Sequence, residues 1–171
     1  GKTMAFGIPI IERIDPDSED VQAVILAPTR ELAMQITDEM RQIAVCHEGV
    51  RLVCLYGGQP IAKQINVLKR RPQIVVATPG RLSDHMKRRT VTLGQVQTVV
   101  LDEADRMLDM GFIHDVTRIL DKIPHRKNLG MFSATISREV MDISWVYQRD
   151  PEEITVQATR ENKPDILQYR I

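Results

Sequence analysis

A single unit recurs along this chain and limits what it can become: a short continuous apolar run, a polar or glycine-rich group directly after it, then an amphipathic stretch. The runs occupy residues 23–27, 52–55, 74–77, 98–101, 129–132 and 154–156, and Val, Ile and Leu dominate them. Continuous rather than alternating apolar character is the pattern of a strand covered on both faces. Between the runs, Leu32, Ile36, Met40 and Ile43 step by four, four and three residues. Ile61, Ile65 and Leu68 repeat that spacing, as do Phe112, Val116, Ile119 and Ile123, and then Val140, Ile143 and Tyr147. Each set lays one apolar stripe along a helix, which a sheet can cover. The alternation predicts βαβ units with right-handed crossovers, hence an α/β fold in which helices flank both faces of a mostly parallel sheet.

In such a sheet, ligands bind beyond the carboxyl ends of the strands. The chemically distinctive residues follow the runs directly. They are Pro28-Thr29-Arg30, Tyr56-Gly57-Gly58, Thr78-Pro79-Gly80-Arg81, Asp102-Glu103-Ala104-Asp105 and Ser133-Ala134-Thr135. Five strands thus deliver polar or glycine-rich groups to one edge, which a purely structural protein has little reason to do.

Two of the groups point to phosphate chemistry. The chain opens Gly1-Lys2-Thr3, the last third of a phosphate-binding loop in which backbone N–H groups cradle phosphate, a lysine reaches the outer phosphates and a hydroxyl holds Mg²⁺. A terminal tripeptide alone is also what a random solvated end looks like. Asp102-Glu103, placed right after the apolar Val99, Val100 and Leu101, adds the carboxylate that such a site needs for a hard cation. Glu103 is then the group that orients or deprotonates a water attacking the terminal phosphate. Capping of the next helix accounts for one of these acids, though not for their pairing with Gly-Lys-Thr.

Composition excludes several classes. With 171 residues, 43% hydrophobic and 27% charged, the chain has the size and content of one globular domain. Its 23 basic and 23 acidic residues balance, so any nucleic-acid contact has to come from a local site rather than from a global field. Cys46 and Cys54 sit among apolar residues and are expected as buried reduced thiols, and the four histidines lack metal-ligand spacing. No apolar run approaches the roughly 18 residues of a membrane span. The expected setting is cytoplasmic. Trp145 is expected to pack in the core or an interface. The basic runs Lys69-Arg70-Arg71 and Lys87-Arg88-Arg89 are expected at helix ends. Residues 15–20 and 158–165 have the composition of linkers.

Together these groups resemble the motifs of the DEAD-box helicases of superfamily 2, in the same order and over the whole chain. Gly1-Lys2-Thr3 is similar to the end of motif I, Pro28-Thr29-Arg30-Glu31-Leu32-Ala33 to motif Ia, Gly57-Gly58 to the GG motif and Thr78-Pro79-Gly80-Arg81 to motif Ib. Asp102 to Asp105 spells motif II, Arg106 to Phe112 is its usual continuation, and Ser133-Ala134-Thr135 is similar to motif III. The resemblance implies a RecA-like three-layer fold and an ATP-dependent RNA helicase using ATP and Mg²⁺. Gly1, Lys2 and Thr3 would bind ATP, with Lys2 on the β- and γ-phosphates. Thr3 and Asp102 would hold Mg²⁺, and Glu103 would act on the attacking water beside Lys2 and Asp102. Pro28, Thr29, Arg30, Gly57, Gly58, Thr78, Pro79, Gly80 and Arg81 would contact the RNA sugar-phosphate backbone without reading sequence. Asp105, Ser133 and Thr135 would couple hydrolysis to strand separation.

The same resemblance sets the expected extents. Residues 1–160 would form an ATP-binding lobe that lacks its first strand, and residues 161–171 a linker and the start of a second RecA-like lobe of the same chain. The lost strand predicts a gap or bare sheet edge near the start of the chain. The absent glycine-rich loop, and an arginine finger expected on the second lobe, predict little ATP hydrolysis by this segment alone.

Overall fold

A computed structural model describes residues 2–148, 151–154 and 165–170. Helix α1 (Lys2–Arg13) is followed by β1 (Ala23–Leu26), α2 (Arg30–Ala44), β2 (Leu52–Leu55), α3 (Ile61–Leu68), β3 (Ile74–Ala77), α4 (Pro79–Lys87) and β4 (Thr98–Leu101). Then come α5 (Ala104–Asp109), α6 (Ile113–Asp121), β5 (Asn128–Ser133), α7 (Arg138–Tyr147), β6 (Pro151–Ile154) and β7 (Asp165–Arg170). The strands form one sheet in the order β2-β3-β1-β4-β5-β7-β6. The first five are mutually parallel, and β7 pairs antiparallel with both β5 and β6.

Alternate residues of each central strand face opposite layers. Val24 and Leu26 join one core with Leu82, Met107, Val116, Ile119, Val140 and Ile143 from α4 to α7. Ala23, Ile25 and Ala27 join the other with Phe6 and Ile10 of α1 and Ile36 and Met40 of α2. All four residues of β1 and of β3 are buried, as continuous apolar runs predict. The α/β architecture with helices on both faces is therefore the one the sequence implies.

Local signals start the helices at the carboxyl edge. Thr29 caps α2, its hydroxyl accepting from Leu32 N at 3.2 Å. Thr78 is the N-cap of α4, and Pro79 occupies its first turn, where a missing N–H costs nothing. The basic runs lie at the C-terminal ends of α3 and α4, where Arg71 and Arg89 take positive φ of 55° and 57°. Thr90 N bonds His85 O and Arg89 N bonds Met86 O, a Schellman closure of α4.

Several expectations change. Residues 15–20 are a connection inside the domain rather than a linker, because buried Gln73 donates to Pro16 O, Ser18 O and Gly49 O while accepting from Arg51 N. The bare edge or gap expected near the chain start is not seen in the described sheet. The flank of β5 is hydrogen-bonded along Asn128–Ser133 by β7, which satisfies its backbone groups. Residues 165–170, expected at the start of another lobe, form that strand. The run at 154–156 is described only at Ile154, the last residue of β6. Its other two residues, residues 158–164 of the expected linker and Gly1 lie outside the described residues. Trp145 is 86% exposed, because the buried stripe of α7 runs through Val140, Ile143 and Ser144 and leaves the indole on the opposite side. Cys46 is exposed and Cys54 half-buried. The first follows the end of α2 and the second lies on the edge strand β2. Burial pushes the Cys54 thiol up from its ordinary value, chiefly by desolvation. Among the described residues, no helix is long and apolar enough to cross a membrane.

Candidate functional site

The strand order separates two groups that chain order interleaves. Tyr56-Gly57-Gly58, Thr78-Pro79-Gly80-Arg81 and Pro28-Thr29-Arg30 follow the neighbouring strands β2, β3 and β1. Asp102 and Glu103 follow β4, and Ser133 ends β5. One half of the edge thus carries glycines, threonines and arginines, and the other carries carboxylates and hydroxyls. The chain leaves β1 toward β2 and leaves β4 toward β5, in opposite directions across the sheet, so the switch point where a crevice opens lies between β1 and β4.

The acidic half is built on Asp102. Its backbone N–H bonds Leu26 O at 2.9 Å, which extends β4 beside β1 and fixes the residue at the strand end. The side chain is fully buried. Oδ1 takes the Lys2 ammonium at 2.7 Å and accepts from Glu103 N at 3.0 Å. Oδ2 is buried with no partner. A buried carboxylate oxygen without a partner is costly, and a divalent cation preferring oxygen ligands answers that need. Thr3, buried in the first turn of α1, adds a hydroxyl of the right chemistry. These donors fit Mg²⁺, although the described residues contain no cluster of three or more His, Cys, Asp or Glu side chains able to hold a metal by themselves.

Glu103 adopts a left-handed conformation, φ 51° and ψ 52°, at the N-cap of α5. The other two non-glycine residues with positive φ among those described, Arg71 and Arg89, lie past helix C-termini, where this conformation is ordinary. Glu103 has no such reason. Its strain, of order 1–3 kcal/mol, falls on the residue that the sequence marks for the attacking water.

Behind it, Asp105, Ser133 and Thr135 come together across 28 to 30 residues of sequence. Asp105 N donates to Ser133 Oγ at 3.1 Å. Thr135 donates to Asp105 Oδ2 from both its backbone N, at 3.1 Å, and its hydroxyl, at 2.9 Å. Burial by itself would raise the Asp105 pKa, but the Thr135 hydroxyl and the backbone N–H groups of Arg106 and Thr135 outweigh it and hold the carboxyl below its ordinary value. The ionised carboxylate therefore ties the end of β5 to α5.

In the basic half, Pro28 is buried and Arg30 exposed. The Arg30 guanidinium lies over the Tyr56 ring, 5.0 Å from its centroid. Gly57 and Gly58 are exposed, Gly58 with φ +89°. Gly57, Thr78, Gly80, Arg81, Lys87 and Phe112 line one open cleft. Arg81, expected to fork onto phosphate, is partly engaged by the protein. One terminal guanidinium nitrogen donates to Gln59 O at 2.8 Å and to Gln64 Oε1 at 3.2 Å. Sequence reasoning placed Tyr56 at this edge but missed Gln59, Gln64, His85 and Thr90 as neighbours of this half. The signal for one of them was present: Gln64 interrupts the apolar stripe of α3 and is buried.

Comparison with known proteins follows the same lines. The DEAD/DEAH box helicase family model matches residues 1–143. The DEAD-box ATP-dependent RNA helicase CshA of Bacillus subtilis is 45% identical over 169 residues, covering 99% of this chain and 34% of that protein. CshA of Geobacillus kaustophilus is 46% identical over 169 residues, covering 99% and 36%. Among solved structures, a DEAD box protein from the hyperthermophile Methanococcus jannaschii superposes with TM-score 0.82 at 42% identity, over 88% of this chain and 40% of that one. The yeast DEAD-box splicing factor Prp28 gives TM-score 0.82 at 36% identity, over 87% and 37%. The chain spans about a third of the length of the curated relatives it matches.

Proposed function

The chain belongs to the DEAD/DEAH box helicase family, and from that premise we propose that it supplies the ATP-binding, RecA-like lobe of an ATP-dependent RNA helicase acting in the cytoplasm. The observation that carries the reading is the buried Asp102 carboxylate, with one oxygen on the Lys2 ammonium and the other without a partner. Asp102 and Thr3 are the residues that would hold Mg²⁺, which supplies charge neutralisation at the outer phosphates of ATP. Lys2 exchanges its contact with Asp102 for the β- and γ-phosphates, and Gly1 belongs to the loop whose backbone N–H groups cradle them. Glu103 orients the attacking water and takes its proton. Pro28, Thr29, Arg30, Gly57, Gly58, Thr78, Pro79, Gly80 and Arg81 receive the RNA backbone on the neighbouring half-edge, where α2 and α4 begin and offer positive helix ends. Asp105, Ser133 and Thr135 link the two halves of the reaction, and a second RecA-like lobe completes both tracks.

The test uses the full-length protein and the variant Asp102→Asn. Binding of a fluorescent ATP analogue should require Mg²⁺, and the variant should lose that requirement together with at least about 100-fold in turnover, the scale of losing a metal-held charge in phosphoryl transfer. RNA should stimulate turnover where DNA does not. Equal stimulation by DNA would point to a DNA motor. Absence of nucleotide binding with retained RNA affinity would make the lobe a docking module.

A further inference from the structure

The half-edge assigned to RNA is organised around a residue that no motif marks. Gln64 lies on the inner face of α3, where spacing calls for an apolar side chain, and is 2% exposed. A buried amide has two protons and two lone pairs to satisfy. Here Nε2 donates to Tyr56 O at 2.8 Å and to Gln59 Oε1 at 3.0 Å. Oε1 receives Arg81 at 3.2 Å and faces His85 Nε2 at 2.8 Å. Because Oε1 can only accept, His85 Nε2 carries the proton. His85 Nδ1 is then the acceptor for the Thr90 hydroxyl at 2.7 Å. His85 is fully buried, and Thr90 belongs to the turn that closes α4.

Apart from the branch through His85 to Thr90, which anchors the network on the end of α4, the branches of this network end on segments assigned to RNA. Gln64 grips the loop between β2 and α3 at Tyr56 and Gln59. Arg81 grips the same loop at Gln59 O, at 2.8 Å. Through the Tyr56 ring the loop also bears Arg30. Between the two grips, Gly57 and Gly58 are exposed, and a Cβ on either would meet nothing within 4 Å. The loop is fixed at its ends and bare at its tip. For stability alone, an apolar side chain in the position of Gln64 would serve with fewer demands, since a buried polar network is favourable only when every member is satisfied. A backbone held in advance lowers the ordering cost when a ligand lands on it.

We propose that Gln64, locked by His85 and Thr90, is a positioning residue that sets the Gly57-Gly58 backbone and the Arg81 guanidinium to receive one nucleic-acid backbone. This rests on the RNA reading of the half-edge. The network carries no base-reading group, so its effect is the same for any RNA sequence.

The experiment measures RNA-stimulated ATP turnover of the full-length protein with Gln64→Met, which keeps size and removes all four hydrogen bonds. It adds Gln64→Glu, which keeps the acceptor for His85 and Arg81 but loses both donors to the loop, and the milder Thr90→Val. Gln64→Met should raise the KM for RNA about tenfold, as loss of one or two net hydrogen bonds implies. The KM for ATP and kcat at saturating RNA should stay within about twofold of wild type. Gln64→Glu should not rescue, because the loop is released, and Thr90→Val should raise the KM for RNA by a smaller factor. An unchanged KM for RNA in all three, with only a lower melting temperature, would make the network structural and overturn the proposal. Arg30→Ala, run in parallel, separates the layers. If it raises the KM for RNA and the Gln64 variants do not, positioning alone fails. If neither Arg30→Ala nor Arg81→Ala moves it, the RNA reading of the half-edge fails and the proposal falls with it.

Discussion

At the scale of single residues, the buried imidazole of His85 makes stability depend on pH. Its pKa lies below the ordinary 6.5, first because burial disfavours the charged ring and then because Arg81 is close, with Asp84 opposing and Arg88 adding to the effect. An unfolded chain takes up this proton near pH 6.5, whereas the folded chain resists until lower pH. Between those points the unfolded state binds more protons, so stability rises with pH. The contribution is complete above about pH 6.5 and is lost as pH falls through the folded-state value. Urea unfolding at pH 7.5 and 5.5 should therefore show a loss of stability on acidification that is smaller in His85→Gln, although that variant is the less stable at pH 7.5. Equal losses in the two proteins would show that His85 does not titrate as its surroundings imply. Asp105 has the opposite origin, a carboxyl held ionised by Thr135 and by backbone donors. Its contribution is present above its ordinary value of 3.8 and disappears in stronger acid.

At the scale of one element, the loop between β2 and α3 separates two uses of glycine. Gly58 needs its positive φ of 89°, whereas Gly57 has neither a positive φ nor a neighbour that a Cβ would touch. The fold therefore explains Gly58 and leaves Gly57 to an outside partner. Gly57→Ala should change stability by less than about 0.5 kcal/mol and still weaken RNA binding severalfold, while Gly58→Ala should cost about 1 kcal/mol of stability as well. Thermal melting and RNA titration of the two variants decide this, and unaltered RNA affinity in Gly57→Ala would leave that glycine without a role. Elements of this kind were partly legible in the sequence. Stripes such as Leu32-Ile36-Met40 gave α2, and Thr29 and Pro79 announced their helix starts, because those signals act over three or four residues. Trp145 lies outside the core because the stripe of α7 passes beside it, and a bulky apolar residue by itself does not fix helix phase. The break that Gln64 makes in the stripe of α3 is visible in the sequence, but its role is not. Its four partners lie on the loop before α3 and on α4, and His85 is 21 residues away in sequence, so only folding shows that a polar residue in an apolar stripe is satisfied.

At the scale of the whole molecule, sequence order gives the edge groups but not their neighbours. β1 precedes β2 in the chain, yet it lies between β3 and β4 in the sheet, and this placement divides the edge into a basic half and an acidic half. From Gly57, after β2, to Thr135, after β5, there are four interstrand steps, about 19 Å at roughly 4.8 Å each. Over that span, direct interaction between side chains is negligible, and stability effects of substitutions should add to within about 0.5 kcal/mol. Ligand effects need not add, because RNA and nucleotide can favour the same arrangement of the two lobes, and whatever factor nucleotide adds to RNA affinity, RNA must add to nucleotide affinity. The two halves then predict different failures. Gly57→Ala should weaken RNA binding by the same factor with and without a non-hydrolysable ATP analogue, leaving the coupling intact. Thr135→Val removes the hydroxyl that bonds Asp105 at 2.9 Å and loosens the tie between β5 and α5, so it should shrink the coupling while leaving RNA affinity without nucleotide near wild type. RNA dissociation constants of the full-length protein and both variants, each measured with and without the analogue, form the test. A coupling lost equally in both variants would mean that the two half-edges act as one surface, and the division drawn from the strand order would carry no functional meaning.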